Sequence, residues 1–156
     1  MGYGVVAESA NALVALDYGC LTTTSDRPLA ERLRSLYEGL VGLIARHHPT
    51  EVAVEELFFS KNVRTALAVG QARGVALLAA ASCGLPVAEY SPQQVKQAVA
   101  VYGRARKEQI QQMVQVLLDL PEVPEPDDAA DALALAICHI HTSQAERLVS
   151  QSTWQQ

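Results

Sequence analysis

The stretch EVAVEELFF, residues 51–59, reads as a β-strand, and the segment after it decides the class of fold. It is rich in β-favouring residues and carries two glutamates, Glu55 and Glu56, near its end. Residues 62–82, NVRTALAVGQARGVALLAAAS, make a helix full of Ala and Gly, whose small side chains let another backbone come close. Gly84 and Pro86 stop that helix, and LPVAEYS, residues 85–91, is a further strand. Strands that alternate with helices in this way predict an α/β domain whose later strands run parallel.

Upstream, GYGVVAE (2–8) and NALVALDYGCLTT (11–23) are two β-like runs separated by Ser9 and Ala10, and they predict an antiparallel hairpin. TSDRPLAERL (24–33) opens a helix in which Ser25 or Asp26 can cap and Pro28 suits the first turn. Leu29, Leu33, Leu36, Leu40 and Leu43 give it one apolar stripe. His47 and His48 fall at its end, where partial positive charge complements the helix dipole; they are read as that and not as ligands.

Downstream come PQQVKQAVAVYG (92–103) and RKEQIQQMVQVLLDL (106–120), two shorter helices. In the second, Ile110, Met113, Val114 and Leu117 form an amphipathic face expected to pack in the core. A Pro-rich loop, PEVPEPDD (121–128), leads into a long final helix expected from Asp127 to Val149. The expected organisation is one domain over residues 1–150 and a polar tail over 151–156. Its sheet is mixed, antiparallel at the start and parallel later.

Length and composition agree with a single globular domain: 156 residues, 49% hydrophobic and 19% charged. Aromatics are only 5%, so the core must be aliphatic. Cys20, Cys83 and Cys138 are an odd count without a Cys-x-x-Cys pair. That argues against a disulfide framework or zinc knuckle and for small buried hydrophobes in a reducing cytosol. Met1 is followed by Gly-Tyr-Gly, with no basic start and apolar run of a secretion signal. No apolar stretch reaches the ~18 residues needed to cross a membrane.

Net charge is −5, yet it is unevenly spread. Residues 61–107 carry seven basic side chains (Lys61, Arg64, Arg73, Lys96, Arg104, Arg106, Lys107) and one acidic, Glu89. The flanking segments are both acidic. A basic middle between acidic ends is either an uneven solvated surface or a phosphate-binding face beside an acidic pocket.

The acidic side centres on PDDAADALALA, residues 126–136. Asp128 and Asp131 are three residues apart and share a helix face. One reading is local: Asp127 caps, and the other two complement the positive end of the helix. The other brings in Glu55. Glu55 and Glu56 point to opposite faces of their strand, so one of them lies on a face that a helix should cover. A carboxylate there is costly unless paired or metal-bound. Carboxylates gathered without His or Cys suit a hard divalent cation, Mg²⁺ or Mn²⁺, and phosphoryl chemistry in which two ions activate water and stabilise the leaving oxygen.

The chain resembles the RuvC-type Holliday-junction resolvases of the RNase H-like superfamily. The resemblance rests on GYGVV at the start, VEELFFSKNVRTALAVGQARGVAL in the middle, YSPQQVKQAV after it and DDAADALALAICHIH near the end. It covers nearly the whole chain in order. It implies a bacterial, cytoplasmic, Mg²⁺-dependent homodimer that nicks two strands of like polarity in four-way DNA junctions. Such an enzyme leaves 5′-phosphate and 3′-hydroxyl ends and works beside a branch-migration helicase in recombination and repair. Glu55 matches the family's catalytic Glu, and Asp128 and Asp131 match its two acidic helix positions; the three are the implied ligands of two metal ions. Phe58 matches an aromatic that stacks near the crossover, with core packing as the alternative. Lys96 and Lys107 match basic residues near the scissile phosphate. The helix from Val63 matches the family's dimer helix.

The resemblance also implies one more strand, ahead of Gly-Tyr-Gly, carrying an Asp in an Asp-Pro-Gly turn. No residue from Met1 onward matches it, and Asp17 lies in the wrong strand. A late start, with the natural protein longer, is the expectation. The alternative is a shortened, catalytically inactive dimer that grips junction DNA without cutting it. A nuclease-like domain for other RNA or DNA substrates is a third possibility, drawing on the superfamily fold alone.

Overall fold

A computed structural model describes residues 1–9, 12–57, 63–100 and 105–153. In chain order the elements are β1 (Gly2–Ser9), β2 (Ala12–Cys20), α1 (Leu29–His47), β3 (Val52–Glu55), α2 (Val63–Ser82), β4 (Val87–Tyr90), α3 (Pro92–Val99), α4 (Lys107–Leu117) and α5 (Asp127–Thr153). The strand read over 51–59 is shorter than expected, and α5 runs on to Thr153, past the expected start of the tail.

β1 and β2 form the expected antiparallel hairpin, with an irregularity between Val5 and Val6. β3 and β4 pair in parallel, Val54 opposite Glu89 and Glu55 opposite Tyr90. The two pairs are separate two-stranded sheets, so the mixture of antiparallel and parallel pairing holds but not as one continuous ladder. On β3, Val52 N–H donates to Pro86 O (3.0 Å) and Glu56 N–H to Tyr90 O (2.8 Å). Even-numbered residues thus direct their backbone groups at β4, and those of Ala53 and Glu55 turn the other way, towards the hairpin. Between the pairs runs a cleft of about 1180 Å³, walled by β1, β3, α1, α2 and α5.

The local signals that end α2 are confirmed. Gly84 is left-handed (φ +71°), and Leu85 N–H donates back to Ala80 O at 3.0 Å. The start of α1 needs correction. Neither Ser25 nor Asp26 caps it; Pro28 holds the cap position without a side-chain bond, and its carbonyl accepts from Arg32 N–H. His47 donates from Nε2 to Asp17 at 2.8 Å, which ties the helix end to β2, while His48 adopts a left-handed conformation (φ 48°) and closes α1. Among the cysteines, Cys138 is buried, Cys20 is half-buried and Cys83 is exposed, so only Cys138 is the expected core filler; all three are free thiols.

The core gathers around α5. Leu133, Ala134, Ile137 and Cys138 pack with Tyr90, Val95, Val99, Ile110, Val114 and Leu118, and Met113 and Leu117 sit at its margin. The amphipathic face of α4 is therefore core, as read. Leu133 is fully buried and lies against β1, where a Cβ on Gly4 would come within 2.9 Å of it. Leu133→Ala should lower unfolding free energy by about 2–5 kcal/mol, measurable as a shift in urea midpoint. Among the described residues, no helix is long and apolar enough to cross a membrane.

Candidate active site

Two elements, β3 and α5, bring the acidic residues to the cleft. Glu55 closes β3, and by strand alternation it shares a face with Tyr90, whose hydroxyl bonds α5 through His139 Nδ1 at 2.9 Å. Glu55 thus faces α5. Asp128 and Asp131 lie in the first turns of α5, where the positive helix end favours anions. All three line the cleft, together with Lys96 of α3 and Lys107 of α4.

The start of β1 sets how closely this end can pack. A Cβ built on Gly2 would lie 1.9 Å from the Asp128 carbonyl oxygen. Only glycine lets the strand and the first turn of α5 approach so far. This reason for the Gly-Tyr-Gly motif was not read from the sequence. Repeated small residues where two elements cross are its available signal.

Burial chiefly pushes the Glu55 carboxyl above its usual range, and the negative charge of Asp131 adds to it against the pull of Lys96. Asp131 is raised as well, first by burial; Lys107 opposes the rise, and Asp128 and Asp127 add to it. Glu55 therefore senses the charge of Asp131. Carboxyls raised in the folded state stabilise it when protonated. Their contribution is complete below the ordinary carboxylate range and is lost as pH rises through the raised values. Metal-free Asp131→Asn should therefore melt higher than the parent at neutral pH, with the gap closing as pH falls below about 4. Thermal melts at several pH values check this.

Asp127 is not the cap that the sequence suggests. It stands inside the first turn, where Pro126 O accepts from Ala129 N–H at 2.8 Å. Its carboxylate instead takes Lys107 Nζ at 2.8 Å and Gln111 Nε2 at 2.8 Å. These bonds, the Lys107 contact first, hold it below its usual range. Lys107 also lies 3.9 Å from Asp131, so it bridges the first two turns of α5. Lys96 is carried by a short helix with a firm start: Gln94 N–H donates to Ser91 Oγ (3.3 Å) and Ser91 N–H to Gln94 Oε1 (2.8 Å).

The remaining basic candidates part company. Arg106 is exposed just ahead of α4. Arg73 reaches inward to Glu89 and to the Glu55 carbonyl. Arg64 belongs to the backbone of α2's first turn, and Phe58, Lys61 and Arg104 lie outside the described residues. Asp17 is held by Tyr3 and His47, away from the acidic end. A second polar chain was not anticipated: His139 Nε2 donates to Glu51 at 2.7 Å, so its Nδ1 accepts from Tyr90 and links β4, α5 and the approach to β3. Among the described residues, no three His, Cys, Asp or Glu side chains are gathered tightly enough to hold a metal ion. The donor chemistry nevertheless suits a hard cation. It is all oxygen, and two of the carboxyls are pushed towards their neutral form by burial and by negative charge that a cation would relieve.

A family model described as crossover junction endodeoxyribonuclease RuvC matches residues 1–139. The chain belongs to the RuvC family. The RuvC protein of Desulfitobacterium hafniense (strain DSM 10664 / DCB-2) is 60% identical over 142 residues, covering 91% of this chain and 86% of that protein. That of Pelotomaculum thermopropionicum is 60% identical over 146 residues, covering 94% and 89%. Among solved structures, Thermus thermophilus RuvC superposes with a TM-score of 0.84 at 38% identity, covering 93% of this chain and 89% of that one. RuvC of the same organism in complex with a Holliday junction substrate gives 0.84 at 36% identity, covering 92% and 88%. The fold is thus the RNase H-like α/β fold of RuvC structures, and the family is one of endodeoxyribonucleases.

Proposed function

We propose that this chain is the catalytic body of a metal-dependent endonuclease that resolves four-way DNA junctions in recombination and repair. The observation that carries the reading is that Glu55, Asp128 and Asp131 line one cleft together with Lys96 and Lys107, in a RuvC-family fold. Glu55, Asp128 and Asp131 would hold divalent metal, Mg²⁺ or Mn²⁺, with two ions in the working site. When bound, the metal supplies an activated water and stabilises the leaving oxygen of a phosphodiester.

The protein's own residues supply the rest. The first turns of α5 hold two carboxylates in a field that favours them. Lys96 lines the same cleft and would balance the charge of a backbone phosphate there. Lys107 holds Asp127 in place and remains near enough to Asp131 to exchange partners when DNA arrives. Arg64, Arg104, Arg106 and Lys61 belong to the basic stretch that would follow the arms of the junction, and Phe58 would stack at the crossover.

A homodimer is part of the proposal, because paired nicks need two sites related by symmetry. Exposed Leu67, Val69 and Leu78 on α2 support that helix as the contact. A fourth carboxylate, on the strand that the resemblance implies, is part of the proposal. A branch-migration helicase as partner and a bacterial cytoplasmic setting complete the reading.

A second reading, junction binding without cleavage, is favoured by the absence of a gathered metal set among the described residues. Competition between a labelled four-way junction and a linear DNA–RNA hybrid tests the substrate. Preference for the junction supports the proposal, and preference for the hybrid overturns it.

A further inference from the structure

Arg73 is counted by its charge with the basic face, but its guanidinium is engaged by the chain's own groups. It lies on α2, and its Nε donates to the main-chain oxygen of Glu55 at 3.0 Å while a terminal nitrogen pairs with the Glu89 carboxylate. Its side chain is 19% exposed and that of Glu89 45%, and Arg73 lines the same cleft as Glu55. The strand register shows what this achieves. Glu89 lies opposite Val54, so both side chains occupy the α2 face of the β3–β4 pair. Glu55 and Tyr90, one residue on, occupy the α5 face, where the acidic cluster is.

β3 has only four residues, and Glu55 is its last. The final ladder bond, Glu56 N–H to Tyr90 O at 2.8 Å, restrains its β4 side. The Glu55 carbonyl points to the opposite, open side, and Arg73 is its partner there. One planar guanidinium thus spans from β4 to the far edge of β3 and clamps the strand end from behind, while the carboxylate of Glu55 faces forward. A lysine offers a single point of charge and cannot reproduce a two-acceptor fork.

We propose that Arg73 is a positioning residue for Glu55, fixing the end of β3 through the Glu55 carbonyl and Glu89, and is not a phosphate contact. The inference rests on the reading of Glu55 as a site residue.

Arg73→Met and Arg73→Lys in the whole chain test it with two readouts. The first is amide hydrogen exchange. In Arg73→Met the Glu56 amide should exchange about tenfold faster, with the Val52 amide unchanged, because only the strand end is released. The second is Mn²⁺ binding by calorimetry. Affinity should fall about tenfold in Arg73→Met, as when a partner that orients a metal ligand is removed, and less in Arg73→Lys. Ala80→Gly, buried elsewhere on α2, controls for destabilisation, since it should lower Tm without weakening Mn²⁺ binding. Parent-like exchange at Glu56 in Arg73→Met overturns the clamp. Faster exchange with parent-like Mn²⁺ affinity reduces Arg73 to a structural tie and overturns its positioning role. If the parent itself binds no Mn²⁺, the Glu56 exchange alone decides the clamp.

Discussion

Asp131→Asn, in a form of the protein that carries the family's first strand, should reduce junction cleavage by on the order of 10³-fold and leave junction binding intact. Asparagine keeps the shape of the side chain and removes the charge. Asp131 lines the cleft with Glu55, whose carboxyl its charge raises, and has Lys107 at 3.9 Å, so its charge would be shared between a basic neighbour and the proposed metal. Removing that charge takes away a metal ligand when the site is loaded. It relieves repulsion when the site is empty. The two effects have opposite signs: activity falls while metal-free stability at neutral pH rises. A purely structural aspartate would not give both. Binding should persist because it depends on the basic side chains, and loss of one negative charge beside a phosphate cannot weaken it. Steady-state cleavage and gel-shift titration of the same preparation check the pair. Cleavage surviving in Asp131→Asn would remove this residue from the site.

Among the described glycines, Gly2→Ala should be the most damaging addition of a methyl group. Its Cβ would stand 1.9 Å from the Asp128 carbonyl oxygen and 2.4 Å from the carbonyl carbon. Both obstacles are backbone, so no side-chain rotation relieves the clash. Either β1 or the first turn of α5 must move, and the overpacking should cost about 1–3 kcal/mol. The same displacement carries Asp128 and Asp131 away from Glu55. A misplacement near 1 Å is enough to lower catalysis by about 10²-fold. Gly42→Ala is the control, because a Cβ there meets nothing within 4 Å and alanine suits a helix. Thermal melts and cleavage assays of the two variants should diverge. A Gly2→Ala protein that melts and cuts like the parent would show that this contact does not position the site.

The parts of the fold legible in the sequence are those that local chemistry dictates. The strand at Val52–Glu55, the Ala-rich helix and the strand at Val87–Tyr90 arise from β-favouring runs and from breakers such as Gly84. The α4 stripe comes from helical spacing, and burial of Ile110 and Val114 agrees with it. The anion-rich start of α5 is visible for the same reason. Features that depend on groups distant in sequence are not legible. Asp127 looks like a cap because Lys107 and Gln111, its partners, lie on another helix. Arg73 counts with the basic stretch by its charge, whereas its bonds to the Glu55 carbonyl and Glu89 join residues distant in sequence. Cys83 looks buried on residue type, but it comes just after the end of α2 and faces out. The glycines of β1 give no sign of how near Asp128 comes. Pairing within each strand pair is legible, whereas their separation by a cleft is not, because alternation along a strand does not say which neighbour it finds.

The most direct test of the central claim is cleavage of an end-labelled synthetic four-way junction in Mg²⁺, with gel-shift binding in parallel. It should be run on the 156-residue chain and on the same chain preceded by a family first strand with its Asp. The predicted result is junction-selective binding by both, with paired symmetric nicks from the extended chain and none from the shorter one. Paired nicks from the shorter chain would show that the site is complete without a fourth carboxylate. Failure of both to prefer the junction over linear duplex would contradict the assignment of Glu55, Asp128 and Asp131 to junction resolution.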